Sequence, residues 1–351
     1  MNRFEYVRPA SLAEAIAAGA EPGATWLGAG TNVLDLMKTG AARPSRLVDV
    51  TRVPGLDRIE FMPDGGARIG AMVRNSDLTR DRGFARAFPA VAEALLSGAS
   101  AQIRNAATVG GNLMQHTRSA YFFDPASGCN RRDPGTGCDA REGENRTSAI
   151  LGWSDSCIAT HPSDFAVPLV AFDAVVEIAG PGGTRTIPLE GLHRLPGDSP
   201  ERETALDPGE LIVALRLPPD AAAVRGHSRY LKLRERTSFA FALVSVAAGL
   251  ELAGGHIRRA RLALGGVAAK PWRAWAAEKA LEGAPPDVAA FARAAEAALA
   301  DARPSGDNAA KIELARRLVV RALQAAAAGT PERMPALPAS VLADTGAVAH
   351  A

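Results

Sequence analysis

The residues best able to do chemistry fall in a few places along the 351-residue chain. Its 3 cysteines, Cys129, Cys138 and Cys157, stand close together, and there is none elsewhere. Clustered thiols can hold a metal or an iron–sulfur cluster, pair as disulfides, or supply a nucleophile. An odd count leaves one thiol over in any disulfide scheme. No C-x-x-C pair marks a zinc site, and no adjacent base or helix start marks a nucleophile. A second kind of chemistry is written in small residues. In WLGAGTNVLDLMK, Gly28, Ala29 and Gly30 lead from a strand into a helix. A backbone without side chains lets a diphosphate approach, and the amides of a helix start hold negative charge. Thr31 and Asn32 add side-chain donors.

Two further segments have the same character. NAATVGGNL offers Thr108, Gly110, Gly111 and Asn112 in a tight turn, and THPSDF offers Ser163 and Asp164 before an apolar run. Each has a plainer reading. A glycine pair between strand and helix is ordinary turn chemistry, and NAATVGGNL also fits a helix C-cap followed by a bulge. Ser163 and Asp164 can simply cap a helix, although a carboxylate there can also accept from ligand hydroxyls, as Asp and Glu do for ribose. No G-x-G-x-x-G follows a strand, so this is not the Rossmann fingerprint.

The elements that must position these residues are legible from periodicity. Ser11 is placed to cap the helix SLAEAIAAGA, ATWL and RLVDV read as strands, and TNVLDLMK reads as a helix between them. That βαβ rhythm predicts a small α/β unit with parallel strands. RIEFM and ARIGAMV pair across the turn PDGG, and DRGFARAFPAVAEALLSGAS has helical spacing. Residues 116–160 lose periodicity, and a polar stretch of that length inside a domain is expected to be functional or disordered. A helix and strand follow in HPSDFAVPLVAFDAVVEI, GPGG marks a hairpin, and ELIVALRLPP is another strand. From 228 the chain gives strands (SRYLKLR, FALVSVAAGLEL, HIRRARLALGGV) and then Ala-rich helices, an α+β pattern. Residues 331–351, rich in Pro, Ala and Gly, are expected to be disordered.

Composition excludes several function classes. The chain is 47% hydrophobic and 22% charged with a formal net charge of +2, which predicts neither nucleic-acid nor membrane-surface binding. No apolar run reaches the roughly 18 residues of a spanning helix. MNRFEYVRPASLAEAI has no apolar signal core. The cytoplasm is therefore the default compartment, with periplasmic location possible through co-export beside a signal-bearing small subunit.

Taken together, AGTN, T-x-GGN, SD and a lysine within LKLRER resemble the FAD-binding subunit of the molybdenum hydroxylase (xanthine dehydrogenase) family over about residues 1–325. The resemblance implies an α+β fold. A two-subdomain FAD-binding region of the vanillyl-alcohol-oxidase (PCMH) type spans 1–222, with subdomains of about 1–57 and 58–222. A C-terminal α+β domain of the carbon monoxide dehydrogenase flavoprotein type spans 228–325. It also implies site roles. Leu27, Gly28, Ala29, Gly30, Thr31, Asn32 and Val33 would cradle the FAD diphosphate, and Thr108, Gly111 and Asn112 would complete that cradle. Asp164 would bind a ribose or ribityl hydroxyl, and Ile212 would pack on the flavin. Lys232 would lie near the ring as a cation that stabilises its reduced form, the plain alternative being a solvated strand residue.

The cysteine stretch is similar to the inserted loop of bacterial periplasmic-type aldehyde oxidoreductases, which holds a 4Fe–4S cluster on four cysteines. Cys129, Cys138 and Cys157 match three ligands, and Ser119 stands where the fourth is expected. A serine is a poor substitute for a thiolate. His116, His161 or Asp124 could replace it, a 3Fe–4S cluster could form, or the loop could be a relic without metal. The resemblance further implies a heterotrimer: a molybdenum-cofactor large subunit oxidises the substrate, a 2Fe–2S small subunit relays electrons, and FAD here passes them to an acceptor. Two rival readings are a free-standing flavin oxidase of the vanillyl-alcohol-oxidase fold and a scaffold that has lost FAD. The first needs a catalytic base that the sequence does not offer. The intact glycine turns argue against the second.

Overall fold

The structure is a computed structural model that describes residues 1–332; the tail expected to be disordered lies, from residue 333, outside the described residues. The first three strands, β1 (Glu5–Val7), β2 (Ala24–Leu27) and β3 (Arg46–Asp49), form a parallel sheet in the order β1-β3-β2. The crossover segments are the helices Leu12–Gly19 and Val33–Thr39. Ser11 caps the first, its hydroxyl accepting from the Glu14 amide at 3.2 Å. Trp26, in β2, fixes this small unit to its neighbour by donating from its indole nitrogen to the Glu210 carbonyl at 2.9 Å.

The second sheet contains β4 (Ile59–Phe61), β5 (Ala67–Gly70), β6 (Val175–Gly180), β7 (Gly183–Pro188) and β8 (Leu211–Leu217). All are antiparallel, in the order β4-β5-β8-β6-β7. Its apolar face is covered by helices drawn from residues 75–113 and 166–171. The segment DRGFARAFPAVAEALLSGAS makes two helices, Arg82–Ala87 and Pro89–Ser97, rather than one. Pro89 has no amide hydrogen to continue the first helix but suits the opening turn of the second.

The third sheet is antiparallel: β9 (Ser228–Leu233), β10 (Val244–Ala253), β11 (His256–Gly265) and β12 (Trp272–Arg273), in the order β12-β11-β10-β9. Helices Trp275–Leu281, Val288–Ala298 and Ala309–Ala327 pack on one face of it. In the last of these, Ala315, Val319, Ala322, Leu323 and Ala326 are buried, the i, i+4, i+7, i+8 stripe that turns a helix toward a core. Among the described residues, no helix is long and apolar enough to cross a membrane.

The aperiodic stretch 116–160 is held by side chains instead of by a ladder. It contains only the short helix Ala120–Phe123 and a single 3₁₀ turn, Asp139–Arg141. Arg132 reaches back to the carbonyls of Tyr121, Phe122 and Asp124 at 2.8, 3.1 and 2.8 Å, closing the loop on itself. At its far end Ile150 and Leu151 enter the C-terminal core, their amides donating to the Val267 carbonyl. The loop therefore joins both halves of the molecule.

Lys311 anchors that junction. It is 3% exposed and donates to the carbonyls of Thr147 and Ser148 at 2.6 and 2.8 Å. Burial pushes its amine down from 10.5 to about 7, and the neutral amine still has hydrogens for both carbonyls. With a folded pKa below the unfolded one, the native state gains stability as pH rises from 7 toward 10.5 and loses it as pH falls through that window. Thermal melts from pH 7 to 10 should show this slope. Lys311→Met should flatten it, while lowering the melting temperature near pH 9.5 through two stranded carbonyls that cost about 1–3 kcal/mol each. An unchanged slope in the variant would remove Lys311 as its source.

Candidate functional site

The first glycine turn leaves β2 at Leu27 and enters the helix Val33–Thr39. Gly30 makes this possible with φ +76°, a conformation costly for any residue with a Cβ. The amides of Ala29, Gly30, Thr31 and Asn32 donate to no group of the protein. This leaves a run of free donors in a half-buried turn. Such a concavity of backbone N–H groups is a ready site for an anion.

The second turn lies against the first. A Cβ placed on Gly28 would come within 3.1 Å of the Thr108 hydroxyl oxygen, so the missing side chain is what brings the two turns together. Here the structure corrects the sequence reading. NAATVGGNL is neither a C-cap nor a bulge but the start of a short helix, Val109–Leu113, capped by Thr108. Its amides are not free. Those of Val109 and Gly110 donate to the carbonyls of Val73 and Ala71, that of Gly111 to the Thr108 hydroxyl, and that of Asn112 to the Thr108 carbonyl. Gly110 is required by packing, since a Cβ would lie 3.0 Å from the Ala71 carbonyl oxygen. What this turn contributes is side chains. The Asn112 amide oxygen accepts from Ser163 at 2.7 Å and from Gln115 at 2.8 Å.

Between these turns, the cysteine loop and the β9–β10 connection lies a cavity of about 780 Å³, within the usual range for a sizeable ligand. Thr31, Asn32, Gly111, Asn112 and Asp164 line it, as does Ser119. Two of its walls carry polar atoms without partners: Asn32 Nδ2 and Asn75 Oδ1 are both buried and unbonded. A buried orphan of this kind asks for a ligand or water.

Asp164 and Lys232, read from the sequence as separate ligand contacts, instead meet each other. Asp164 Oδ2 accepts from Lys232 Nζ at 2.7 Å, and Oδ1 accepts from the Tyr230 hydroxyl at 2.5 Å. The Lys232 side chain is 3% exposed and also donates to the Ser97 carbonyl at 3.2 Å. It is neither a solvated strand residue nor an unneutralised cation facing the cavity. Burial pushes the Tyr230 hydroxyl well above its ordinary range, so it stays protonated and donates. Ser163 takes the capping role, its hydroxyl accepting from the Ala166 amide at 3.1 Å. Ile212 is a second correction. It sits opposite Ile178 inside the five-stranded sheet, 3% exposed in the core, and does not line the cavity.

Sequence reasoning passed over Tyr230, Asn75 and Arg104. For Tyr230 a signal existed: residues two apart on a strand share a face, so Tyr230 and Lys232 reach the same partner. His161 lines the cavity as well. Burial and the adjacent His193, at 4.1 Å between ring centroids, hold it well below its ordinary value and uncharged.

The three cysteines are neighbours. Cys129 and Cys138 face each other across an isolated antiparallel bridge, and the Cys138 thiol is pushed up by burial and by the nearby Cys157 and Cys129. Cys129 packs with Leu36 and Phe122, and the buried guanidinium of Arg131 contacts both Cys157 and Glu203. Among the described residues, no set of three His, Cys, Asp or Glu side chains converges as metal ligands do.

Comparison with known proteins agrees with this geometry. Residues 2–220 match the family described as the FAD binding domain in molybdopterin dehydrogenase, and residues 229–328 match the CO dehydrogenase flavoprotein C-terminal domain. The chain is 47% identical to the aldehyde oxidoreductase FAD-binding subunit PaoB of Escherichia coli K12, over 93% of this chain and 99% of that protein. It is 30% identical to the xanthine dehydrogenase FAD-binding subunit of E. coli O157:H7, over 90% and 91%. Among solved structures, a carbon monoxide dehydrogenase chain from Hydrogenophaga pseudoflava superposes with a TM-score of 0.73 at 29% identity, covering 93% of this chain and 98% of that one. With both parts of the fold matched along almost their whole length, the chain belongs to the FAD-binding subunits of the molybdenum hydroxylase (molybdopterin dehydrogenase) family.

Proposed function

We propose that the cavity holds one FAD non-covalently, and that the chain passes electrons from a 2Fe–2S small subunit to an acceptor. The substrate is oxidised on a separate molybdenum-cofactor subunit. The observation that carries this reading is the run of unbonded amides from Ala29 to Asn32, closed over by Thr108 across a gap that only glycine at position 28 leaves open. Bound FAD supplies the ability to accept electrons singly and release them singly or in pairs.

The chain's own residues do the holding. Leu27 to Val33 take the diphosphate on backbone donors, and Thr108, Gly111 and Asn112 close the second side with side chains and a bare backbone. Asp164 offers its carboxylate to a ligand hydroxyl, and Lys232 acts through Asp164 by fixing its charge and orientation. Ile212 supports the sheet beneath and is assigned no contact. The expected subdomain break near 57 and the domain break between 222 and 228 suit a cofactor held between layers.

A heterotrimeric setting is supported by the relatives' own descriptions as subunits and medium chains, and by the absence from this cavity of a group placed to activate water for substrate oxidation. The aldehyde oxidoreductase relative at 47% identity favours aldehydes as substrates of the complex.

We further propose that Cys129, Cys138 and Cys157 hold an iron–sulfur cluster in the loop. The support is their mutual proximity and the cationic Arg131 beside Cys157, which would offset thiolate charge. Ser119 opens on the cavity, so a fourth thiolate is missing and one iron would be weakly held.

Three outcomes are expected. Acid precipitation of purified protein should release free FAD, and Gly28→Val should weaken FAD binding at least about tenfold, roughly 1.4 kcal/mol, with little change in the melting temperature of the FAD-free chain. Full affinity in that variant would misplace the diphosphate. Affinity purification of the tagged chain from its native host should bring down a molybdenum subunit and a 2Fe–2S subunit; turnover of an aldehyde by the chain alone would sink the subunit reading. Iron and sulfide analysis of the anaerobically isolated chain should find a cluster that Ser119→Cys makes fuller and more air-stable, whereas FAD without iron or sulfide would leave the loop a structural joint only.

A further inference from the structure

Of the cations along the cavity wall, Lys232 is neutralised by Asp164, Arg118 by Asp35 at 3.7 Å and Arg146 by Glu235. Arg104 is different. It is 6% exposed, and among the described residues no carboxylate comes within 4.0 Å of its guanidinium. One nitrogen, Nη1, donates to the carbonyls of Gly98 and Ala99 at 2.7 and 3.4 Å, and the other two make no hydrogen bond. The residue lines the cavity. A buried guanidinium with open donors and no counter-charge is costly unless something anionic or carbonyl-rich completes it. Its pKa moves down through burial alone, which marks the same lack of a partner.

Asn75 stands on the adjoining element. Its amide nitrogen on the backbone donates to the Ala107 carbonyl at 2.9 Å, at the end of the helix Ala101–Ala106 that carries Arg104. Its side-chain Oδ1 is buried without a partner and also lines the cavity. The wall thus presents open donors beside an open acceptor. A diphosphate, which has acceptors only, would leave Oδ1 unsatisfied. The pyrimidine edge of a flavin, with an N–H between two carbonyls, satisfies both.

We propose that Arg104 and Asn75 form the corner that receives the pyrimidine edge of the flavin ring. Arg104 donates to the carbonyl edge, and Asn75 accepts from the ring N–H. This rests on the FAD reading of the cavity and transfers to Arg104 the cationic role that the sequence gave to Lys232. Two electrons and one proton leave the reduced ring with one negative charge, and Arg104 is the cation placed to stabilise it. It is a positioning and potential-setting residue, with Asp164, Tyr230, Lys232 and His161 as the other titratable side chains of that wall.

The test uses the full chain with riboflavin, ADP and FAD as separate probes, plus spectroelectrochemical titration of the FAD-loaded protein. Arg104→Gln should weaken riboflavin at least about tenfold, leave ADP affinity unchanged and make the flavin midpoint potential more negative; Arg104→Lys should restore much of the potential. Asn75→Leu should weaken riboflavin likewise, and serves if Arg104→Gln fails to fold. Loss of ADP affinity with riboflavin binding and potential unmoved would place Arg104 on the diphosphate and overturn the assignment. So would variants that fold normally and change none of the three readouts. A wild-type chain that binds no FAD would count instead against the parent reading.

Discussion

A buried carboxylate ties the two halves of this protein together. Asp164 leaves the cofactor-facing wall of the FAD region and takes bonds from Tyr230 and Lys232, both on the first strand of the C-terminal sheet. Removing one member of such a pair leaves an uncompensated buried charge, which costs about 3–5 kcal/mol. A second buried carboxylate repeats the device nearby: Glu93 accepts from Arg229 at 3.0 Å and from the Tyr230 amide at 2.7 Å. Four consecutive residues of one strand thus dock on two carboxylates of the neighbouring domain. The C-terminal strands and helices then stand at a fixed place beside the cavity.

The cavity wall follows from that docking. Ser97, Gly98 and Ala99 end the helix that carries Glu93, and their carbonyls receive Lys232, Arg234 and Arg104. A Cβ on Gly98 would lie 3.2 Å from Asp164 Oδ2, so this corner is close-packed around the ion pair. The charges nearest the cofactor space are therefore set by the domain interface. Lys232 is consumed in holding the interface, and Arg104 is left over to face the ligand. Electron transfer within a larger complex benefits from such rigidity, because a cofactor held by preorganised groups need not reorganise them when its charge changes.

The cysteine loop is the other structural joint. It borrows order from Arg132 and from Ile150, Leu151 and Lys311 at its junction with the C-terminal core. A long irregular segment is tolerated in a compact protein when side chains answer its backbone groups, and here charged ones do so. The same architecture holds three thiols near one another on the side of the cavity where Ser119 opens.

Local signals carried most of the fold. The period-2 strands, the stop at Pro89, the Ser11 cap and the helical stripe of the last helix depend on neighbours in sequence, and so can be read from it. The first glycine turn was legible for the same reason: strand, small residues and helix start are contiguous, and only their local geometry frees the amides of Ala29 to Asn32. The second turn was misread because its amides are taken by Val73 and Ala71, more than thirty residues upstream, which no local pattern reveals. Lys232 was legible as a scarce lysine on a strand, but its partner lies 68 residues away. Whether a buried cation is spent on a protein carboxylate or remains for a ligand is a matter of which charges the tertiary packing brings within about 4 Å. The sequence by itself determined the family, the strands and helices and the glycine cradle. Only the folded chain decided that Asp164 neutralises Lys232 and that Arg104 remains unpaired, because opposite charges find each other through space and not along the chain.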